Sequence, residues 1–380
     1  MIPASHTASR HLRRLLTPRV RAAAQTPRVR AAAQTPGADR YRKHFPARAD
    51  LWLLLLHGLS SSPSLRQTYA LLQAVPQLFA RLGLAQGLSF SQLARSSTSR
   101  PAACFEALLA DLVAQAHRTV GPDRQWRILR KVQAIDSTFL RLSAELSPWS
   151  KQGRFTPGVR VQCAFDVARQ LPTSLRLTLV ATNDHEALRT WELEPLQGWT
   201  LLVDLGYYGH RQFARLRDAG GSFLSRLHPQ ASYQVTAARA VSAKPTADGD
   251  VVLSDETITL GSPNNRAGVV VPGLRLVTSR NRAGREQAFV TDRFDLTAAE
   301  LVRLYRYRWQ IELFFRWLKH QLGVTPSLGV SRAAVWLTVL IAAIVALLLA
   351  LTETARPPTM SRIAWLRVLG QTLQTLLRGG

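Results

Sequence analysis

The chain has 380 residues, of which 46% are hydrophobic and 19% charged. That balance excludes a disordered protein and suffices for one catalytic domain of about 200–250 residues with a smaller appendage. Its 49 Lys and Arg against 24 Asp and Glu leave a formal charge of +25, which points to a polyanion or an anionic membrane surface as partner. Five of the cations are lysines and 44 are arginines. A GC-rich coding sequence accounts for Arg over Lys; it does not account for twice as many cations as acids, and the guanidinium fork suits phosphate. Two cysteines, Cys104 and Cys163, make no metal framework and fit a reducing cytosol.

Residues 1–40 read as a basic, disordered arm without the apolar core of a secretory signal. Within it TPRVRAAAQ occurs twice in tandem over 17–34, too short and too polar to stack as a solenoid. Residues 41–123 are helical in pattern, with LWLLLLHGL, TYALLQAVPQLFARLGL and SFSQLARSSTSRPAACFEALLADLVAQA. Ser89 and Ser91 are candidate N-caps, and Pro101 suits a first helical turn. Short helices rich in Ser and Arg fit a helix-turn-helix reader of DNA and fit a plain helical bundle equally well.

Beyond about residue 124 the texture turns to strands. VQAIDSTFLRL, GVRVQCAFDV, SLRLTLVAT and GWTLLVDLGYY alternate or run apolar over strand lengths. A helix follows at RQFARLRDAGG. A β-rich stretch at about 225–290 contains VVLSD, TITLGS, GVVVPG and LRLVTS. Thr297-Ala-Ala-Glu300 is a capping box and predicts one long helix running through YRYRWQIELFFRWLK. Residues 333–351, apolar except for Thr338, reach the length of a membrane span; a single span after a net-basic stretch of about 330 residues lacks a rationale, so a helix buried in the core is expected. Residues 352–380 form a C-terminal tail.

Three acids stand out. Asp136 ends the apolar run V-Q-A-I, and Asp204 ends L-L-V; an acid there must leave at the sheet's edge or meet a cation, or else is simply a turn former. On the long helix, taking Tyr305 as zero, Arg308, Glu312 and Lys319 fall at about 300°, 340° and 320°. The four share one arc beside the apolar arc of Leu304, Ile311, Phe314, Phe315 and Leu318. Spacing alone fits a solvated stripe with an Arg308–Glu312 pair as well as it fits a functional face.

The pattern Tyr305-x2-Arg308-x3-Glu312-x6-Lys319 resembles the Y-R-E-K signature of bacterial insertion-sequence transposases of the DDE type, in the family named after insertion sequence four. AIDSTFL (134–140) and VDLGYYGHRQFARLRDAGGSFLSRL (203–227) are similar to that family's first and second aspartate blocks. FDLTAAELVRLYRYRWQIELFFRWLKHQLG is similar to its C-terminal block, and YRKHFPARADLWLLLLHGL with LSFSQLA to its N-terminal domain. The resemblance spans roughly residues 40–350.

It implies an α/β, RNase H-like mixed sheet flanked by helices, with a β-rich insertion before the last catalytic helix, over residues 124–351, behind a helical N-terminal DNA-binding domain. It implies Asp136, Asp204 and Glu312 as catalytic residues holding two Mg²⁺ ions, with Mn²⁺ as substitute, and Tyr305, Arg308 and Lys319 as contacts to DNA phosphate. The implied partner is double-stranded DNA, as element ends and as target, bound by a homodimer in the cytoplasm, at the nucleoid and away from membrane. A metal-dependent nuclease without strand transfer, and an inactive DNA-binding relative, are the alternatives. Two departures are visible. Leu205 stands where many relatives carry a basic residue. No Trp lies between Asp204 and Trp309, so either Tyr233, Phe223 or another residue stacks the flipped base of a hairpin-forming member, or the hairpin route is not the one used. His210 and His228 read as surface or DNA-facing residues, since neither has a second ligand at helical or hairpin spacing.

Overall fold

The computed structural model describes residues 45–59, 64–75, 79–80, 82–84, 87–99, 102–120, 127–191, 196–242, 244–262, 269–322, 328–353, 356–357, 359–361, 364–365 and 367–372. The duplicated arm and Pro101 lie outside the described residues. The described residues fall into two compact units that interleave along the chain: those within 1–120, 140–158 and 316–380 belong to one, and those within 121–139 and 159–315 to the other.

The first unit opens with α1 (Ala47–Leu59), α2 (Leu65–Gln73), α3 (Phe90–Ser99) and α4 (Ala103–Thr119). Ser64 caps α2 by accepting from the Gln67 N–H at 3.3 Å. Of the two candidate caps for α3, Ser89 is the one used. Its hydroxyl accepts from the Gln92 N–H at 3.2 Å while Gln92 Oε1 accepts from the Ser89 N–H at 2.8 Å, a reciprocal capping box. Ser91 lies inside the helix.

The second unit is built on one sheet. Its strands are β1 (Val132–Arg141), β2 (Gly158–Asp166), β3 (Leu171–Leu179), β4 (Thr200–Val203), β5 (Ser222–Arg226), β6 (Tyr233–Ala238), β7 (Val251–Leu260), β8 (Val271–Arg280) and β9 (Glu286–Thr291). They lie in the order β3-β2-β1-β4-β5-β9-β8-β7-β6. β4 runs parallel to both β1 and β5, and β2 and β3 form an antiparallel hairpin. The first five strands therefore have the RNase H-like arrangement. All four residues of β4 are buried, as expected of a central parallel strand covered on both faces.

The β-rich insertion is a continuation of this sheet. β9 pairs antiparallel with β5, and β8, β7 and β6 follow outward, each antiparallel to the last. The four short segments expected there are two long strands. VVLSDETITL is continuous as β7, and GVVVPG and LRLVTS contribute to β8. Gly273, at φ +66°, takes up the irregularity where β7 and β8 change register between Ile258 and Leu260, so Pro272 does not end the strand.

The helices of this part are α5 (Asp184–Arg189), α6 (His210–Asp218), α7 (Ala298–Arg306) and α8 (Trp309–Leu322). The Thr297–Glu300 capping box is present in both directions. The single long helix expected after it is two helices. Tyr307 and Arg308 form a tight turn in which Tyr307, Arg308, Gln310 and Ile311 each donate to the carbonyl three residues back, at 3.0–3.2 Å. These bonds satisfy the backbone without Gly or Pro, so the sequence pattern carries no break signal. The common arc computed across the turn therefore does not apply as drawn.

The last long element, α9 (Arg332–Leu351), belongs to the first unit and is the helix 333–351 expected to be buried. It packs against α4, α1 and α3, and 78% of its most apolar window is buried. Thr338, the polar residue within 333–351, donates its hydroxyl to the Ala334 carbonyl at 2.8 Å. It is long and apolar enough to cross a membrane, but its surface is already covered by protein.

Candidate active site

Parallel pairing sets the first two acids side by side. Val132, Gln133 and Ala134 of β1 are in register with Thr200, Leu201 and Leu202 of β4. Two residues further on, the same register brings Asp136 level with Asp204. Alternation gives both side chains one face, on strands about 4.8 Å apart. Each carboxylate is anchored by the backbone just beyond it. Asp136 Oδ1 accepts from the Ser137 N–H at 2.7 Å, and Asp204 Oδ1 accepts from the Gly206 N–H at 2.9 Å as it caps the turn Leu205–Tyr207.

Glu312 joins them from the first turn of α8 through Arg308. One guanidinium nitrogen donates to Glu312 Oε1 at 2.6 Å and another to Asp136 Oδ2 at 3.2 Å. Arg308 is a bridging cation, with its side chain 16% exposed and that of Asp136 14%. Tyr305 stands beside it, its ring centroid 5.9 Å from the guanidinium carbon and 5.0 Å from that of Phe289. Lys319 is exposed in the last turn of α8, a part of the helix that belongs to the first unit. Asp136, Asp204, Tyr305, Arg308 and Glu312 thus meet in the second unit, and Lys319 is not among them.

The electrostatics are those of crowded acids. Burial pushes the Asp136 carboxyl up to about 7; the Ser137 N–H and Arg308 oppose this, and the charges of Asp204 and Glu312 add to it. Asp204 is also raised, chiefly by burial, with Arg308 pulling it back. Burial works against the charge of Arg308, but the hydrogen bond to Glu312 and the neighbouring acids outweigh it and hold the guanidinium more firmly protonated. One guanidinium does not balance these carboxylates, and the surplus favours a further cation. Among the described residues no three His, Cys, Asp or Glu side chains stand close enough to hold a metal as they are; Arg308 spans Asp136 and Glu312. The donors are all carboxylate oxygens, which suit Mg²⁺ and Mn²⁺ rather than zinc.

Sequence reasoning missed a neighbour. Asp184, at the start of α5, accepts from Ser137 Oγ at 2.7 Å and from Gln162 Nε2 at 3.3 Å. The available signal was TNDHEALR, an Asn-Asp pair after an apolar strand, in which Asn183 is the helix cap. Phe223 is not a candidate for base stacking. It is fully buried, face to face with Phe213 at 3.9 Å, because β5 is an interior strand. Tyr233, at the start of β6, is 42% exposed. His210 Nδ1 lies 3.2 Å from the Val269 carbonyl, and His228 Nδ1 accepts from the Gln230 N–H; neither belongs to a metal-binding group among the described residues.

Residues 128–348 match the family described as transposase DDE domain. A protein of Sinorhizobium fredii named as a candidate transposase, y4zB, is 29% identical over 268 residues, covering 70% of this chain and 72% of its own. A Geobacillus stearothermophilus protein named as the probable transposase for insertion sequence element IS5377 is 24% identical over 248 residues, covering 65% and 63%. Among solved structures, the piggyBac transposase synaptic complex with hairpin DNA aligns over 87% of this chain and 72% of its own, at 9% identity and a TM-score of 0.48. A likeness of that size adds nothing to the fold read from strand order.

Proposed function

The chain belongs to the transposase DDE domain family, and on that premise we propose that it cuts the terminal inverted repeats of its own insertion sequence and joins them to new DNA. Asp136, Asp204 and Glu312 are the catalytic carboxylates and would hold two Mg²⁺ ions, with Mn²⁺ able to substitute. When bound, such a pair activates the attacking water or hydroxyl and stabilises the leaving oxygen.

The protein's own part is positional. β1 and β4 hold Asp136 and Asp204 on one face of the sheet, and the tight turn before α8 brings Glu312 to the same place. Arg308 offsets part of the charge of Asp136 and Glu312 by bridging them; with those carboxylates holding a cation instead, its fork would be free for a phosphate oxygen. Tyr305 and Lys319 contact the DNA backbone, and the helical first unit grips the element end. Two ends require two subunits, so the working form is a homodimer assembled on DNA, acting in the cytoplasm on the nucleoid. The observation that carries this reading is the β1–β4 register, in which Ala134 pairs with Leu202, so that two residues on Asp136 and Asp204 stand level within reach of the Arg308–Glu312 link.

The test is cleavage and joining of a labelled duplex carrying the inverted repeats that flank the gene, by purified full-length protein with Mg²⁺. Wild-type protein is expected to cut and to join pre-cleaved ends. Replacing Asp136, Asp204 or Glu312 with Ala should abolish both while end binding stays within a few fold. Cutting without joining would make the protein a nuclease, and wild-type cutting by a variant would remove that residue from the role.

A further inference from the structure

Asp184 gathers hydrogen bonds from two strands and leaves one oxygen toward the acids. Its Oδ1 accepts from Ser137 Oγ of β1 at 2.7 Å and from Gln162 Nε2 of β2 at 3.3 Å. Arg160 lies 3.8 Å from the same oxygen and donates to Ser137 Oγ at 3.2 Å. Gln162 is fixed in turn, its Oε1 accepting from the buried Tyr207 hydroxyl at 2.6 Å. Ser137 is the hub of this arrangement, since its own N–H holds Asp136 Oδ1. The second oxygen, Oδ2, takes no hydrogen bond among the described residues. It faces Gly206: a Cβ there would stand 3.1 Å from Asp184 Oδ2 and 3.1 Å from Asp204 Oδ1. The two oxygens therefore lie no more than twice that distance apart, with only a glycine between them.

We propose that Asp184 is a positioning residue of this site. Through Ser137 it fixes the middle of β1, where Asp136 is presented, and through Oδ2 it adds a fourth negative charge beside Asp204, strengthening the hold on a divalent cation. A helix-start aspartate needs none of this, because Asn183 already caps α5 by accepting from the Glu186 N–H at 2.8 Å. The oxygen of Asp184 that is hydrogen-bonded is spent on the strands that carry the site. Partners of ligating carboxylates commonly change metal affinity ten- to hundred-fold.

The inference rests on the carboxylate site proposed above, and the experiment separates the two. Mn²⁺ binding to the full-length protein is measured by calorimetry and by electron paramagnetic resonance, with melting followed alongside, for wild type, Asp204→Ala, Asp184→Asn and Ser137→Ala. Asp184→Asn keeps an acceptor for Ser137 and removes the charge; it should weaken Mn²⁺ about ten-fold. Ser137→Ala cuts the link without leaving a new buried charge and should weaken it about ten-fold, the lower end of the range for such partners. Asp204→Ala should weaken it most. If Asp204→Ala loses Mn²⁺ while Asp184→Asn and Ser137→Ala bind as wild type, the role of Asp184 is refuted and the site stands. Wild-type binding by all three would overturn the carboxylate site and this inference together. Should Asp184→Asn fail to fold, Ser137→Ala decides.

Discussion

Two arginines in the second unit each grip an aspartate, and their surroundings differ in one respect. Arg275 on β8 meets Asp255 on β7 with two parallel bonds of 2.8 and 2.6 Å, and its remaining nitrogen donates to the carbonyls of Arg293 and Leu296 at 3.2 and 2.5 Å. Both side chains are about 5% exposed. Asp255 has a second cation within reach, Arg239 at 3.4 Å. Arg308 instead divides its fork between two acids with Asp204 and Asp184 close by. The first arrangement holds cations enough for its acid and clamps the loop that launches α7. The second has more carboxylates than cations. Arg275 is saturated by its partners, and Arg308 leaves the charge around it unbalanced.

The largest effect should come from breaking the saturated pair. Arg275→Ala leaves Asp255 buried and frees the Arg293 and Leu296 carbonyls; it should cost about 3–5 kcal/mol in urea denaturation. A loss under about 1 kcal/mol, the scale of an exposed pair, would erase the contrast.

The unbalanced cluster should behave in the opposite way without metal. Because the folded protein holds the Asp136 proton up to about 7 instead of the ordinary 3.8, ionising it costs stability as pH rises through that window, and the full penalty stands above it. Asp136→Asn should therefore be more stable than wild type at pH 8, by at most about 4 kcal/mol, and the two should converge near pH 4. Mg²⁺ should narrow the gap at pH 8 by stabilising wild type alone. A pH-independent difference would mean that the acids are not crowded.

Arg308→Lys keeps the charge and loses the two-pronged reach. Cleavage should fall about ten- to hundred-fold while melting changes little. Lys319→Gln should be the gentlest, altering stability by a few tenths of a kcal/mol, yet it should slow cleavage about ten-fold if the side chain holds DNA phosphate. Unchanged cleavage would return Lys319 to an ordinary exposed helix residue.

The three acids proposed as catalytic were legible because each breaks a rule of its setting. A charge closing an apolar run, or one acid among aromatic and basic residues, must have a partner, and period-2 patterning located the strands, although β1 continues past Asp136 to Arg141. The capping box at Thr297 and the buried helix over 333–351 followed from equally local chemistry. The continuity of β5 with β9 was not legible, because pairing partners far apart in sequence leave no periodic trace. The break at Tyr307–Arg308 was hidden for a related reason: it is made by hydrogen-bond geometry and by the ion pairs of Arg308, not by Gly or Pro. Asp184 was passed over because an acid after Asn at a helix start has a sufficient local explanation. Only the fold shows that its hydrogen-bonded oxygen is spent elsewhere.

The most direct test of the central claim is anomalous diffraction from crystals of the full-length protein bound to an element end and soaked in Mn²⁺. Mn²⁺ peaks are expected on the carboxylates of Asp136, Asp204 and Glu312, with Arg308 released from Asp136 and turned to a phosphate oxygen. Mn²⁺ bound elsewhere, or a loaded site in which Arg308 still bridges Asp136 and Glu312, would contradict that claim.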